Sequence, residues 1–174
     1  GDNYINAAEK FSLTVSGNCE SGSNVAIAWS DASAHSGSTS IGCGGTYTYD
    51  VNSTADGLVD GSSNLTFTVN QSDVAGNAAN AVVLILSKDT VLPTVSFLTP
   101  AANSNIAIAN QAVFALHGNC SESGRQVAIV AGAVSGTTSC IAGDWDISLD
   151  VSALADGNVT VTANHSDVAG NAAA

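Results

Sequence analysis

The groups able to do chemistry in this 174-residue chain are fifteen carboxylates, four cysteines and three histidines, with only Lys10, Lys88 and Arg125 as cations. His35, His117 and His165 stand apart, and none has a His or Cys partner at metal-ligand spacing. No serine sits in a Gly-x-Ser-x-Gly elbow. Gly42, Gly44 and Gly45 flank Cys43 but lead into no helix, so a phosphate cradle lacks its second half. These absences predict a non-enzyme. The acids point elsewhere, because Ca2+ takes six to eight hard oxygen ligands from carboxylates, Asn side chains and carbonyls. The candidate ligands are the turn aspartates Asp56, Asp60, Asp73, Asp89 and Asp167. A second reading serves the same residues. In Asp-x-Ala-Gly-Asn the Asp side chain caps its own turn, with Gly supplying a positive φ and Asn tolerating the left-handed region.

The elements that place these groups follow from internal repetition. Ser72 to Ala79 recurs letter for letter as Ser166 to Ala173, Gly17-Asn18-Cys19 recurs as Gly118-Asn119-Cys120, and Ala55-Asp56-Gly57 recurs as Ala155-Asp156-Gly157. Two copies of a unit of roughly 95 residues result, a period that marks a repeat architecture. The drift in spacing places insertions in the first copy near residues 32–40 and 58–63. The composition shifts at Lys88-Asp89-Thr90-Val91-Leu92-Pro93, where Pro93 suits the start of a strand. The expected domains are therefore 1–88 and 89–174.

Within each copy the pattern is all-β. Residues 11–15, 65–69 and 159–163 alternate apolar and polar, and 47–51 and 146–149 read the same way. A unit of this size with about seven short antiparallel strands is expected to be an immunoglobulin-like β-sandwich. That topology gathers turns at two poles. It places Asp89 in the linker, Asp167 and Glu122 at one pole of the second repeat, and Asp56 and Asp60 of the first repeat facing them. A Ca2+ ion at such a joint would stiffen it, and Asp73 would serve the preceding joint.

Four cysteines fall two per repeat, so Cys19–Cys43 and Cys120–Cys140 are the expected disulfides, against a reading as buried free thiols. Loops of around twenty residues imply about 3 kcal/mol each, and disulfides imply an extracellular location. Charge narrows the partners. A formal net charge of −12 with no basic stripe excludes ordinary nucleic-acid binding and disfavours anionic lipid. No apolar run approaches the ~18 residues of a membrane span, so no membrane insertion is expected. With 45% hydrophobic residues and a mean hydropathy of +0.24, the chain has the composition of a folded protein.

The Asp-x-Ala-Gly-Asn turn after a threonine-rich strand, the apolar strand after it, and Lys88-Asp89-Thr90 running into Pro93-Thr94-Val95 together resemble bacterial Ig-like repeats. The resemblance covers nearly the whole chain. It implies the stalks of large secreted adhesins and surface fibres, with neighbouring repeats as partners and a spacer function. It departs from the antibody type, because the second cysteine of each pair precedes the Asp-x-Ala-Gly-Asn strand. A module binding a glycan or protein through the first repeat's insertions, with Trp29 and Tyr47 as stacking surfaces, is the alternative; an accessory domain of a secreted hydrolase is a third. Aligned copies also leave repeat one without its first strand and repeat two without its last, which a cut through an array or strand donation between chains would produce.

Overall fold

A computed structural model describes residues 2–52 and 57–173. The described residues hold thirteen strands, one single-turn 3-10 helix at Gln111–Val113 and no α-helix, so the all-β class stands. The chain divides into two compact units, Gly1–Val91 and Leu92–Ala174.

The first unit contains β1 (Tyr4–Ile5), β2 (Leu13–Asn18), β3 (Asn24–Ser30), β4 (Ser36–Gly42), β5 (Thr46–Val51), β6 (Gly61–Gln71) and β7 (Val82–Lys88). One sheet runs β1-β7-β6-β3-β4 and the other pairs β2 with β5. Period-2 patterning explains the core between them. β3 turns Val25, Ile27 and Trp29 inward, β6 adds Leu65 and Phe67, and Val15 and Val51 meet them from the other sheet. Leu65, Phe67 and Ile27 are at most 1% exposed, and each contributes roughly 1.5–3 kcal/mol by its burial.

The second unit contains β8 (Val95–Thr99), β9 (Phe114–Cys120), β10 (Gln126–Ala131), β11 (Val134–Ser139), β12 (Asp144–Leu149) and β13 (Val161–His165). Its sheets run β11-β10-β13 and β12-β9-β8. Val127, Ile129 and Ala131 of β10 face Leu116, Trp145 and Leu149 across a core of its own. Trp145 is 1% exposed and meets Phe97 of β8 edge-on, with ring centroids 5.3 Å apart.

Both disulfides are formed as the cysteine count implies, Cys19–Cys43 with Cα atoms 6.0 Å apart and Cys120–Cys140 with 5.9 Å. No described cysteine is free.

Three local expectations need correction. The ladder is not wholly antiparallel, because β1 pairs parallel to β7 through Tyr4↔Ser87 and Ile5↔Lys88. Two residues are too few to leave an alternation in the sequence. Phe11, the expected start of a strand, is 58% exposed. The Asn6 side chain accepts from the Ala8 and Glu9 amides and winds residues 6–10 into a turn, so the strand begins only at Leu13. Phe11 then lies under the Lys10 ammonium, 5.0 Å from the ring centre. Likewise β13 begins at Val161, two residues later than the alternation suggests.

Candidate functional site

The repeated Asp-x-Ala-Gly-Asn segments fold into the same closed turn in both units. In the first, the Asn77 backbone amide donates to Asp73 Oδ1 and its side-chain amide to Asp73 Oδ2, both at 2.7 Å. In the second, the Asn171 backbone amide donates to Asp167 Oδ1 at 2.8 Å and its side chain to Oδ2 at 2.7 Å. Gly76 and Gly170 supply φ of 92° and 86° at the bend, a region glycine enters without cost. The Asn77 side chain, followed by its backbone amide, holds the Asp73 carboxyl below the usual carboxylate range. Turn capping, the second of the two readings, is thus realised at both sites.

Asp89 and Asp60 also have protein partners. Asp89 Oδ1 accepts from the Val91 amide at 3.2 Å. Asp60 accepts from the Thr90 hydroxyl at 3.0 Å and lies 3.8 Å from the Lys88 ammonium. Asp56 lies outside the described residues. The Glu122 amide donates to His165 Nε2 at 3.1 Å. Among the described residues no three His, Cys, Asp or Glu side chains form a metal-binding group. Asp89 belongs to the first unit and Asp167 to the second.

The two insertions of the first unit are tied together by a residue that the sequence did not mark. Asp31 is 8% exposed, and its Oδ1 accepts from the Ser33 and His35 amides, both at 2.9 Å. Its Oδ2 accepts from the Val59 amide at 3.1 Å and lies 3.0 Å from His35 Nδ1. Burial pulls this carboxyl upward. The amides of Val59, His35 and Ser33, with the His35 ring, outweigh that pull and hold it below its ordinary value. Lys88, only 8% exposed, donates its ammonium to the Leu58 carbonyl from beneath, and Leu58 itself is 4% exposed. Asp31 and Lys88 therefore anchor the two insertions, Asp31 by bonding both.

The proposed stacking surfaces are spent in the same way. Trp29 is 7% exposed and stacks on Tyr49 with ring centroids 5.6 Å apart, so it offers no face to a glycan. Tyr47 is half-buried against the core. It lies opposite Gly17 across the β2–β5 ladder, and Trp145 lies opposite Gly118 across β9–β12. An aromatic ring over a cross-strand glycine is thus common to both units, although no tryptophan is matched.

The three histidines are held by separate sets of groups. His35 bonds Asp31, while His117 Nδ1 lies 2.9 Å from Asp146 Oδ1 and 3.1 Å from the Trp145 carbonyl. His165 is 1% exposed. Its Nδ1 lies 3.0 Å from the Gln126 carbonyl, so Nδ1–H donates there and Nε2 accepts from Glu122. The matching position in the first unit is Gln71. Its Oε1 accepts from the Glu20 amide at 2.8 Å and its Nε2 donates to the Glu20 carbonyl at 2.7 Å. Two different side chains thus latch the turn after the first cysteine to the end of β6 or β13.

No protein-family model and no curated protein matches the chain. Among solved structures, the chain is similar to a Ca2+-stabilized adhesin that helps an Antarctic bacterium reach out and bind ice. That match has 22% identity and a TM-score of 0.47, over 98% of this chain and 44% of the other. A 1.5-MDa bacterial ice-binding adhesin is similar at 22% identity and a TM-score of 0.46, over 99% of this chain and 58% of the other. A tetra-tandem repeat in the extending region of a large adhesion protein matches at 24% identity and 0.42, over 94% and 44%. The chain spans about half the length of these structures.

Proposed function

We propose that the chain is a pair of tandem spacer domains from an extracellular bacterial adhesin or surface fibre, working in series with neighbouring repeats. The observation that carries this reading is repetition at the level of atoms. One disulfide-stapled sandwich with one Asp–Asn locked turn occurs twice. Two disulfides in 174 residues suit an oxidising compartment. Among the described residues no helix is long and apolar enough to cross a membrane.

A spacer must resist extension, and that is the test. Pulling the chain from its ends should give two discrete unfolding events. Reduction should lengthen each event by roughly 60–80 Å, at ~3.3–3.6 Å per residue over cysteine separations of 24 and 20. Extension without discrete events would end the spacer reading. Calcium belongs to the proposal through the turn aspartates Asp56, Asp60, Asp73, Asp89 and Asp167, each a candidate ligand beside backbone carbonyls, with Asp73 serving a separate ion. It requires Tm to rise in Ca2+ over EGTA and the rise to vanish on replacing Asp89 and Asp167 by Ala. A Tm that ignores Ca2+ removes the metal from the proposal and leaves the spacer.

A further inference from the structure

The segment that leaves the first unit is held by an insertion that only this copy contains. The second copy passes from Gly157 straight to Asn158, where the first places residues 58–63 between Gly57 and Asn64. Period 2 divides the exit segment between two sides. The Ser87 and Asp89 amides donate to the Asn3 and Ile5 carbonyls at 2.9 and 3.0 Å, which fixes one edge beside β1. Lys88 and Thr90, two residues apart, give their side chains to the insertion instead. The Lys88 ammonium donates to the Leu58 carbonyl and lies 3.8 Å from Asp60 Oδ1. The Thr90 hydroxyl donates to Asp60 Oδ2 at 3.0 Å. Val59, between these two anchors, donates its amide to Asp31, so the insertion is itself tied down at its middle.

Lys88 is the one buried cation among the described residues, and a buried ammonium is costly unless it is bonded and paired. Its partners both come from the insertion, and the second copy has no residues at those positions. We propose that residues 58–60 are a strap that fixes the exit segment Lys88–Thr90 to the first unit. Asp60 is its clasp and Lys88 its cation. The strap needs no metal, because the ammonium already stands where a cation would neutralise Asp60. Past it come Val91 and Leu92, 66% and 45% exposed, as the first residues that it does not hold. An exit fixed in this way belongs to one copy and not to the repeat as such. The mechanical use of the strap rests on the spacer reading; its bonds do not.

The sequence supplies a direct probe, since a lysine-specific endoprotease can cut it only after Lys10 and Lys88. Neither disulfide crosses residue 88, so a cut there releases residues 89–174 as a separate fragment that mass spectrometry can follow. When opening is fast relative to cleavage, the rate of cutting follows the population of the open form. In the full chain the cut after Lys88 should be much slower than the cut after Lys10, and equal in EGTA and in Ca2+. Asp60→Ala should speed the Lys88 cut about tenfold, as expected for losing a charge-assisted bond at a partly exposed carboxylate, and leave the Lys10 cut unchanged. Amide exchange gives a second readout that also serves Lys88→Met. In both variants the Asp89 amide should exchange about tenfold faster, while the amide of Phe67 in the core keeps its rate. Unchanged cutting and exchange would overturn the proposal, and so would equal acceleration at Lys10, Lys88 and Phe67, which would mean that the whole unit had loosened. Faster cutting at Lys88 on adding Ca2+ would also overturn it, because Asp60 would then be a metal ligand that the strap gives up. Two discrete unfolding events under force with an unprotected Lys88 would keep the spacer reading and lose the strap. Extension without discrete events in a chain whose Lys88 is protected through Asp60 would do the reverse.

Discussion

Asp31 shows how one carboxylate can hold two insertions that the repeat itself does not contain. Its counterpart in the second unit is Ala133, so a reading by matched positions gives it no weight. All of its partners except the His35 ring are backbone amides, which leave no signature in residue types. Because its carboxyl titrates below the ordinary range when folded, the stability it lends is complete above about pH 5 and is lost as the pH falls through the depressed folded value. Asp73 acts with the same sign in the same unit. The melting temperature of the first unit, followed by Trp29 fluorescence, should be flat from pH 7 to about 5 and then fall steeply. In Asp31→Asn the neutral-pH value should be lower and the acid fall shallower; an unchanged acid limb would refute the role. At His165 the opposite tolerance is expected, because Gln71 already makes the equivalent latch to Glu20. His165→Gln should cost little. His165→Leu leaves the Glu122 amide without its acceptor and should cost about 1–3 kcal/mol in a urea melt.

Strands and turns carry the contrast between what could and could not be read from the chain. Alternation placed β5, β6 and β12, and β2 and β13 with their starts two residues early, because each has one face in a core, and period 2 is the imprint of that burial. The Asp-x-Ala-Gly-Asn turn was legible because its bonds are local, within five residues. β1 and the turn at Asn6 were not, since the first is two residues long and the second depends on one side chain reaching two amides. The aromatic–glycine pairs were hidden for another reason: Gly17 with Tyr47 and Gly118 with Trp145 match in geometry but not in letters. They predict unequal costs for one substitution. A Cβ at Gly118 would lie 1.8 Å from the Ser96 carbonyl oxygen of the adjoining β8 and 2.6 Å from Trp145. At Gly17 it would meet only the outer end of the Tyr47 ring at 2.9 Å, which can swing. Gly118→Ala should therefore cost about 3 kcal/mol or prevent folding of the second unit, while Gly17→Ala should cost about 1 kcal/mol. Equal losses in denaturant melts would mean that β8 yields where Gly118 requires it to hold.

At the scale of the molecule, the spacer reading requires each unit to keep its own core and its own staple, so that damage stays where it is made. The chain supplies a reporter for each, Trp29 at 7% exposure in the first core and Trp145 at 1% in the second. Replacing Cys120 and Cys140 by Ala removes a loop constraint over 20 residues, worth about 3 kcal/mol in the chain-entropy model. For a unit of this size that loss should lower its melting temperature by something on the order of 10–20 °C. A Trp29→Phe background leaves Trp145 to report the second unit alone, and Trp145→Phe leaves Trp29 to report the first; each keeps an aromatic ring in its core. The Trp145 transition should move by the full amount and the Trp29 transition should stay in place. The reciprocal change, Cys19 and Cys43 to Ala, should move only the Trp29 transition. If either pair shifts both transitions together, the two units unfold as one, and a chain of independent spacers in series is the wrong description.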